Sequence, residues 1–279
     1  MPEHAPSAGA ATAPAKASAE IWFQRFGSAR HPRMRLFCFP YAGGFASLFG
    51  GWAAGLPADI EVRGVQLPGR PPRMKEAPYT RLAPLIGALA QQITPLTGIP
   101  FAFFGHSLGG LVAYTLAREL HRRGGACPSR LFISGCPAPH LRRTRNLHGL
   151  PEGEFRSQLD RLGGTPKELL RNAELMDVVS PIIRADFEIY ETSDCGECEA
   201  LDTPITAFGA TDDEWVSLEE AQGWRLYSSA PFRFHRMQGG HFFIHAQAAG
   251  IRRRIAIDLD QNERSAGDFA RHSRIEDAL

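Results

Sequence analysis

Short apolar runs alternate along the chain with stretches of helical apolar spacing, and this alternation sets the expected fold. Met34 to Phe39 (MRLFCF) is an apolar run closed by Pro40, the pattern of a buried strand. The same reading applies to Ile60–Val65, Phe101–Phe104, Arg130–Ser134, Pro204–Gly209 and Phe232–Met237. The run FAFF has no polar position, as a central parallel strand covered on both faces requires. Helices are expected over about 45–54, 79–94, 108–123 and 242–256. In the second of these, Leu82, Leu85, Ile86, Leu89 and Ile93 fall on one helical face. Alternating strands and helices predict an α/β protein, with a mostly parallel central sheet flanked by helices.

One interval breaks the rhythm. The 68 residues 135–202 separate the fourth and fifth strands, and they are patterned helically over 152–162, 166–172, 174–179 and 181–190. A connection this long is expected to be an inserted helical lid. The core is then made of 20–134 and 203–261. Residues 1–19 are rich in Ala, Pro and Ser and are expected to be a disordered tail; 262–279 are expected to be a flexible polar tail.

Composition excludes several functions. At 279 residues and 43% apolar the chain can bury a large core. A balance of 31 basic and 30 acidic residues offers no electrostatic footprint for nucleic acid. The short cluster Arg142-Arg143-Thr144-Arg145 reads as a solvated face. Five cysteines (38, 127, 136, 195 and 198) at irregular spacing are not a disulfide framework. Cys195-Gly-Glu-Cys198 lacks the further ligands that zinc needs. The first twenty residues contain no apolar core of a secretory leader. The long uncharged stretch 82–117 is broken by prolines, glycines and His106, so it reads as strand, turn and helix in succession rather than a membrane span. A cytoplasmic monomer is expected.

The chemistry centres on Gly105-His106-Ser107-Leu108-Gly109. This G-x-S-x-G element directly follows the strand FAFF and opens an apolar helix. A strand-elbow-helix turn presents the serine hydroxyl outward as a nucleophile, and glycines flank it where side chains would clash. A hydroxyl needs a base. His241, in Gly239-Gly240-His241 just past the last strand, is in the right place for it. His245 lies four residues on and reads as a surface or packing residue, His235 lies within a strand, and His106 sits beside the nucleophile where it can shape the pocket. The orienting acid should follow the penultimate strand. Asp212 and Asp213 both stand there, and position alone leaves both open. An oxyanion needs backbone donors. Leu108, at the start of the helix, is one; Ala42, in the loop Pro40-Tyr41-Ala42-Gly43-Gly44, is the other expected donor.

Taken together, these residues resemble the type II thioesterases, the free-standing editing enzymes of polyketide and nonribosomal peptide synthesis. The resemblance rests on FCFPYAGG (37–44), QLPGR (66–70), FFGHSLGG (103–110), DDEWVS (212–217) and GGHFF (239–243), and covers residues 33–257. It implies an α/β-hydrolase fold with a helical lid, and Ser107, His241 and Asp213 as a triad. Asp213 is favoured over Asp212 because Val216 follows it at the family's spacing. It also implies Ala42 and Leu108 as oxyanion donors, and hydrolysis of acyl groups from the phosphopantetheine arm of acyl or peptidyl carrier proteins. No cofactor is expected, since that arm belongs to the substrate. The alternatives are a chain-terminating medium-chain fatty acyl thioesterase, a carboxylesterase or lipase on small free esters, and a catalytically inactive binding module.

Overall fold

The six apolar runs enter one sheet. In a computed structural model describing residues 13–194 and 199–261, the strands are β1 (Phe23–Phe26), β2 (Met34–Phe39), β3 (Ile60–Val65), β4 (Phe101–His106), β5 (Leu131–Ser134), β6 (Ile205–Ala210) and β7 (Phe232–Met237). Their order is β1-β3-β2-β4-β5-β6-β7. All pairings are parallel except the edge pairing of β1 with β3. The strand β1 is an addition to the expected set: FQRF is short and half polar, so no apolar run marks it.

The helices are α1 (Ala13–Trp22), α2 (Leu82–Ile93), α3 (Leu108–Arg122), α4 (Glu152–Leu162), α5 (Lys167–Arg171), α6 (Ala173–Thr192), α7 (Leu218–Gln222) and α8 (Phe243–Ala246), followed by a helix over 248–261. One face of the sheet is covered by α1, α2 and α3 through residues such as Trp22, Leu85, Leu89, Leu111 and Leu116. Phe49, Trp52, Ile251, Ile255 and Leu259 cover the other. None of the helices among the described residues is long and apolar enough to cross a membrane.

Two expectations for the amino-terminal part of the chain differ from the structure. The tail placed over 1–19 extends too far, because α1 begins at Ala13 and buries Ala19 and Trp22. Alanine-rich sequence looks like low complexity, but alanine is also the best helix former, and α2 gives α1 a surface to pack on. The helix over 45–54 is instead two 3-10 turns, Ala46–Phe49 and Ala53–Gly55. Gly50 and Gly51 lie between them, and glycine disfavours α-helical continuation. Residues 1–12 and 262–279, and the Cys195–Cys198 pair, lie outside the described residues.

The strand order changes direction at β2: β3 and β1 lie to one side of it, and β4 to β7 follow in sequence on the other. The carboxyl ends of the adjacent strands β2 and β4 therefore face a topological switch point, where open parallel sheets form their ligand crevice. Phe39 pairs with Gly105 there, so the PYAGG loop and the Ser107 elbow leave the sheet side by side.

Between β5 and β6 the chain folds into α4, α5 and α6 around a small core of Leu147, Phe155, Leu159, Met176, Ile183 and Phe187. The two helices expected over 174–179 and 181–190 form one, α6, with Pro181 inside it. A proline removes one helical hydrogen bond. The helix continues because Met176 before it and Ile183 and Phe187 after it bury in the same cluster. Arg184 holds the preceding segment by donating to the carbonyls of His148 and Leu150, each at 2.8 Å.

Candidate active site

Ser107 occupies the turn from β4 to α3 at φ 55° and ψ −119°, a conformation that L residues adopt only when their surroundings impose it. Its amide donates to the Ser134 carbonyl at 2.8 Å, and its carbonyl accepts from the Gly110 amide at 2.9 Å. The flanking glycines are required by space: a Cβ at Gly105 would overlap the Gly109 carbonyl, and one at Gly109 would overlap the Phe39 carbonyl. The backbone thus crosses itself closely enough to push the Ser107 side chain out over the sheet.

His241 follows β7 and is 8% exposed. Its Nε2 lies 3.1 Å from Ser107 Oγ and its Nδ1 2.9 Å from Asp213 Oδ2. The Asp213 side chain is fully buried, and its other oxygen accepts from the amides of Trp215 and Val216 at 2.8 and 3.0 Å. These amides fix the carboxylate so that it can accept from Nδ1–H, which leaves Nε2 unprotonated toward the serine. Asp212, open by position in the sequence, is exposed, and Asp213 is the one brought to the imidazole.

His106 is fully buried. Its Nε2 lies 2.9 Å from the His241 carbonyl and its Nδ1 2.9 Å from Ser134 Oγ. The carbonyl can only accept, so Nε2 carries the proton; in the neutral ring Nδ1 then accepts from the hydroxyl. Burial, reinforced by the charge His241 can carry, holds the pKa of His106 well below its ordinary value. His245 reaches the Tyr41 hydroxyl at 3.1 Å. His235 stays on β7 against Phe208, away from this constellation.

Ala42 and Leu108 line the same chamber as Ser107, a cavity of ≈ 70 Å³. Leu108 is the first residue of α3, where amides have no intrahelical acceptor. The insertion helices roof the chamber with Leu162, Phe187 and Tyr190. The basic cluster read as a solvated face is exposed at Arg143, Thr144 and Arg145; Arg143, which pairs with Glu220 at 3.2 Å, and Arg145, which stacks on Trp215, also line the chamber, while Arg142 stacks on Tyr190. An adjacent groove of ≈ 450 Å³ shares Tyr41, Ala42, Leu162, Phe187 and Phe242 with the chamber.

Sequence reasoning missed Asp186, which α6 carries against the PYAGG loop, and gave Arg70 no role beyond its motif. No local signal marks Asp186: in IIRADFEIY it is one of two acids, with Arg184 and Glu188 two residues away on either side. Ser134 and Phe242 carried no signal beyond their neighbours.

The thioesterase-domain model matches residues 34–258. The chain belongs to the thioesterase family. This thioesterase is 39% identical over 225 residues to the gramicidin S biosynthesis protein GrsT of Aneurinibacillus migulanus, covering 80% of this chain and 88% of that protein. It is 43% identical over 216 residues to a protein of Brevibacillus parabrevis named linear gramicidin dehydrogenase LgrE, covering 76% and 82%. Among solved structures it is similar to the type II thioesterase BorB from the borrelidin biosynthetic cluster, with a TM-score of 0.79 and 32% identity over 86% of this chain and 98% of that one. The thioesterase shares with BorB the α/β-hydrolase fold, here as a mixed, mostly parallel sheet flanked by helices.

Proposed function

We propose that this thioesterase hydrolyses acyl groups from the phosphopantetheine arm of carrier proteins and clears stalled or misprimed polyketide or nonribosomal peptide synthases. The observation that carries the reading is the run of contacts from Ser107 Oγ through His241 to a fully buried Asp213. His241 Nε2 takes the serine proton as Oγ attacks the thioester carbonyl. The negative charge on the carbonyl oxygen falls to the amides of Ala42 and Leu108. Collapse breaks the C–S bond, the imidazolium protonates the departing thiolate, and the acyl group remains on Ser107 as an ester. Water, deprotonated by the same imidazole, attacks that ester and releases the acid. Asp213 holds the ring in the needed tautomer throughout.

The names of the relatives, drawn from gramicidin and borrelidin synthesis, favour a synthase carrier protein as donor of the acyl group. The α4–α6 insertion then serves as a lid over the acyl chamber, and the pantetheine arm enters beneath it. The test is hydrolysis of a set of acyl carrier-protein thioesters against a nitrophenyl ester, by the wild type and by Ser107→Ala. The reading requires preference for the carrier-bound thioester, tolerance of many short acyl groups, and no turnover by the variant. Preference for the free ester favours a carboxylesterase, and selection of one medium-chain product favours a chain terminator.

The name of LgrE raises a second reading, reduction of a bound acyl group. A strained serine backed by imidazole and carboxylate is machinery for acyl transfer and has no part in hydride transfer. Incubation of the acyl carrier protein with and without NADPH separates the two: hydrolysis yields the acid in both, and reduction yields aldehyde or alcohol only with the nucleotide.

A further inference from the structure

Asp186 and Arg70 form an ion pair in which both side chains are buried, at 1% and 2% exposure. Asp186 belongs to α6 of the insertion, and Arg70 to the QLPGR turn after β3. Both also grip the PYAGG loop. Asp186 Oδ2 accepts from the Gly43 amide at 2.7 Å, and Arg70 Nε donates to the Gly44 carbonyl at 3.0 Å. A third bond, from Arg70 Nη1 to the Pro68 carbonyl at 3.0 Å, fixes the guanidinium itself. The pair thus holds consecutive residues of the loop, one through its N–H and the other through its C=O. α6 also abuts Gly43, where a Cβ would come 2.9 Å from Ile183 Cγ1.

We propose that Asp186 is a positioning residue for the oxyanion loop, so that Ser107 is fully competent only when α6 is docked on the core. The proposal rests on the acyl-transfer reading of Ser107 and Ala42 above. Gly43 directly follows Ala42, at a φ of 76° in a loop with two adjacent glycines. Such a backbone relaxes easily unless held. An oxyanion donor works only within a few tenths of an ångström of its place, because the gain depends on preorganisation. A buried ion pair is a poor route to stability, since apolar residues of similar size usually do as well. What apolar residues cannot do is accept from the Gly43 amide and donate to the Gly44 carbonyl. The device ties the insertion, which roofs the chamber, to the part of the core that stabilises the tetrahedral intermediate.

The test compares Asp186→Asn, which retains an acceptor for Gly43, with Asp186→Leu, which does not. Turnover of an acyl-N-acetylcysteamine thioester and the rate of fluorophosphonate labelling at Ser107 are measured, with folding checked by circular dichroism. Because phosphonylation also builds an oxyanion, both rates are expected to fall together. For Asp186→Leu we expect kcat to drop at least about tenfold with KM within about twofold, and Asp186→Asn to retain most of the activity. If Asp186→Leu does not fold, the pair Arg70→Met with Asp186→Leu, which buries no lone charge, replaces it with the same expectation. A folded variant lacking the acceptor but turning over like the wild type overturns the clamp alone. A wild-type protein that neither hydrolyses the thioester nor labels at Ser107 overturns the acyl-transfer reading and the clamp with it.

Discussion

The fully buried ring of His106 places its Nε2 2.9 Å from the backbone carbonyl of His241. The residue before the nucleophile therefore holds the residue proposed as the base by its main chain, while Ser107 meets the same histidine by its side chain. Ser134, opposite His106 on β5, completes the arrangement by engaging Nδ1. Burial favours the neutral ring, in which Nδ1 accepts from the Ser134 hydroxyl.

That neutrality makes folding stability depend on pH. Burial keeps the pKa of His106 well below 6.5 in the folded protein, whereas the unfolded chain takes up the proton near 6.5. Below that pH the unfolded state binds more protons, so stability falls as pH falls and recovers as pH rises. Urea titrations from pH 7 to pH 5 should show this loss, with His106 contributing up to about 1.4 kcal/mol per pH unit. His106→Gln should show a shallower slope. His235 and His245, also lowered by burial, remain in both proteins and cancel in the comparison. Equal slopes would remove His106 from the account.

The two adjacent carboxylates should behave oppositely. Asp213→Asn should lower kcat by about 10⁴-fold, because an amide at that place favours the wrong imidazole tautomer. Asp212→Asn changes an exposed side chain and should leave kcat within about twofold of the wild type. Steady-state kinetics of the two variants on one thioester decide it, and similar losses in both would contradict the assignment.

Glycines at two kinds of position should also separate. Gly109→Ala puts a methyl group into the Phe39 carbonyl and should abolish folding or cost several kcal/mol, about the scale of severe core disruption. Gly87→Ala, inside α2 with open space around it, should stabilise by about 0.5–1 kcal/mol. Denaturant midpoints of both variants check this, and a well-folded Gly109→Ala would show that the elbow is not the tight crossing described.

Phe242 lines both the chamber at Ser107 and the larger groove, together with Tyr41, Ala42, Leu162 and Phe187, and its ring packs so closely on Gly164 that a Cβ there would overlap it. Phe242→Ala should join the two spaces and favour longer acyl chains. The ratio of kcat/KM for octanoyl over acetyl thioester is expected to rise about tenfold, the scale of a few added apolar contacts. Gly164→Ala should shift the same ratio by displacing the ring, while leaving the fold intact. A ratio unchanged in both variants would show that Phe242 does not limit the chain.

Much of this was legible in the sequence because it follows from local pattern. The apolar runs around 34–39 and 101–104 and the glycines at 105 and 109 place Ser107, and the order of strands places His241 and an aspartate after it. Other features depend on packing between distant segments. Whether Asp212 or Asp213 reaches the ring turns on which side of the loop is buried, and family spacing suggested what position could not. The bond from Asp186 to Gly43 spans residues far apart in the chain, and nothing near Asp186 announces it. α1 is not legible locally because an alanine-rich segment also looks like low complexity, and its packing on α2 and on the turn Thr94–Leu96 is what fixes it as a helix. Pro181 marks a helix break by local rules, yet burial on both sides carries α6 through.

The central claim is that Ser107 carries the acyl group between two half-reactions. The direct measurement is mass spectrometry of peptides from the enzyme, acid-quenched within milliseconds of mixing with a carrier protein bearing an acyl-phosphopantetheine arm. The peptide containing Ser107 should gain the mass of the acyl group alone, without pantetheine, and the adduct should be absent in Ser107→Ala. Release of the acid by Ser107→Ala at the wild-type rate, with no adduct on the wild-type peptide, would contradict it.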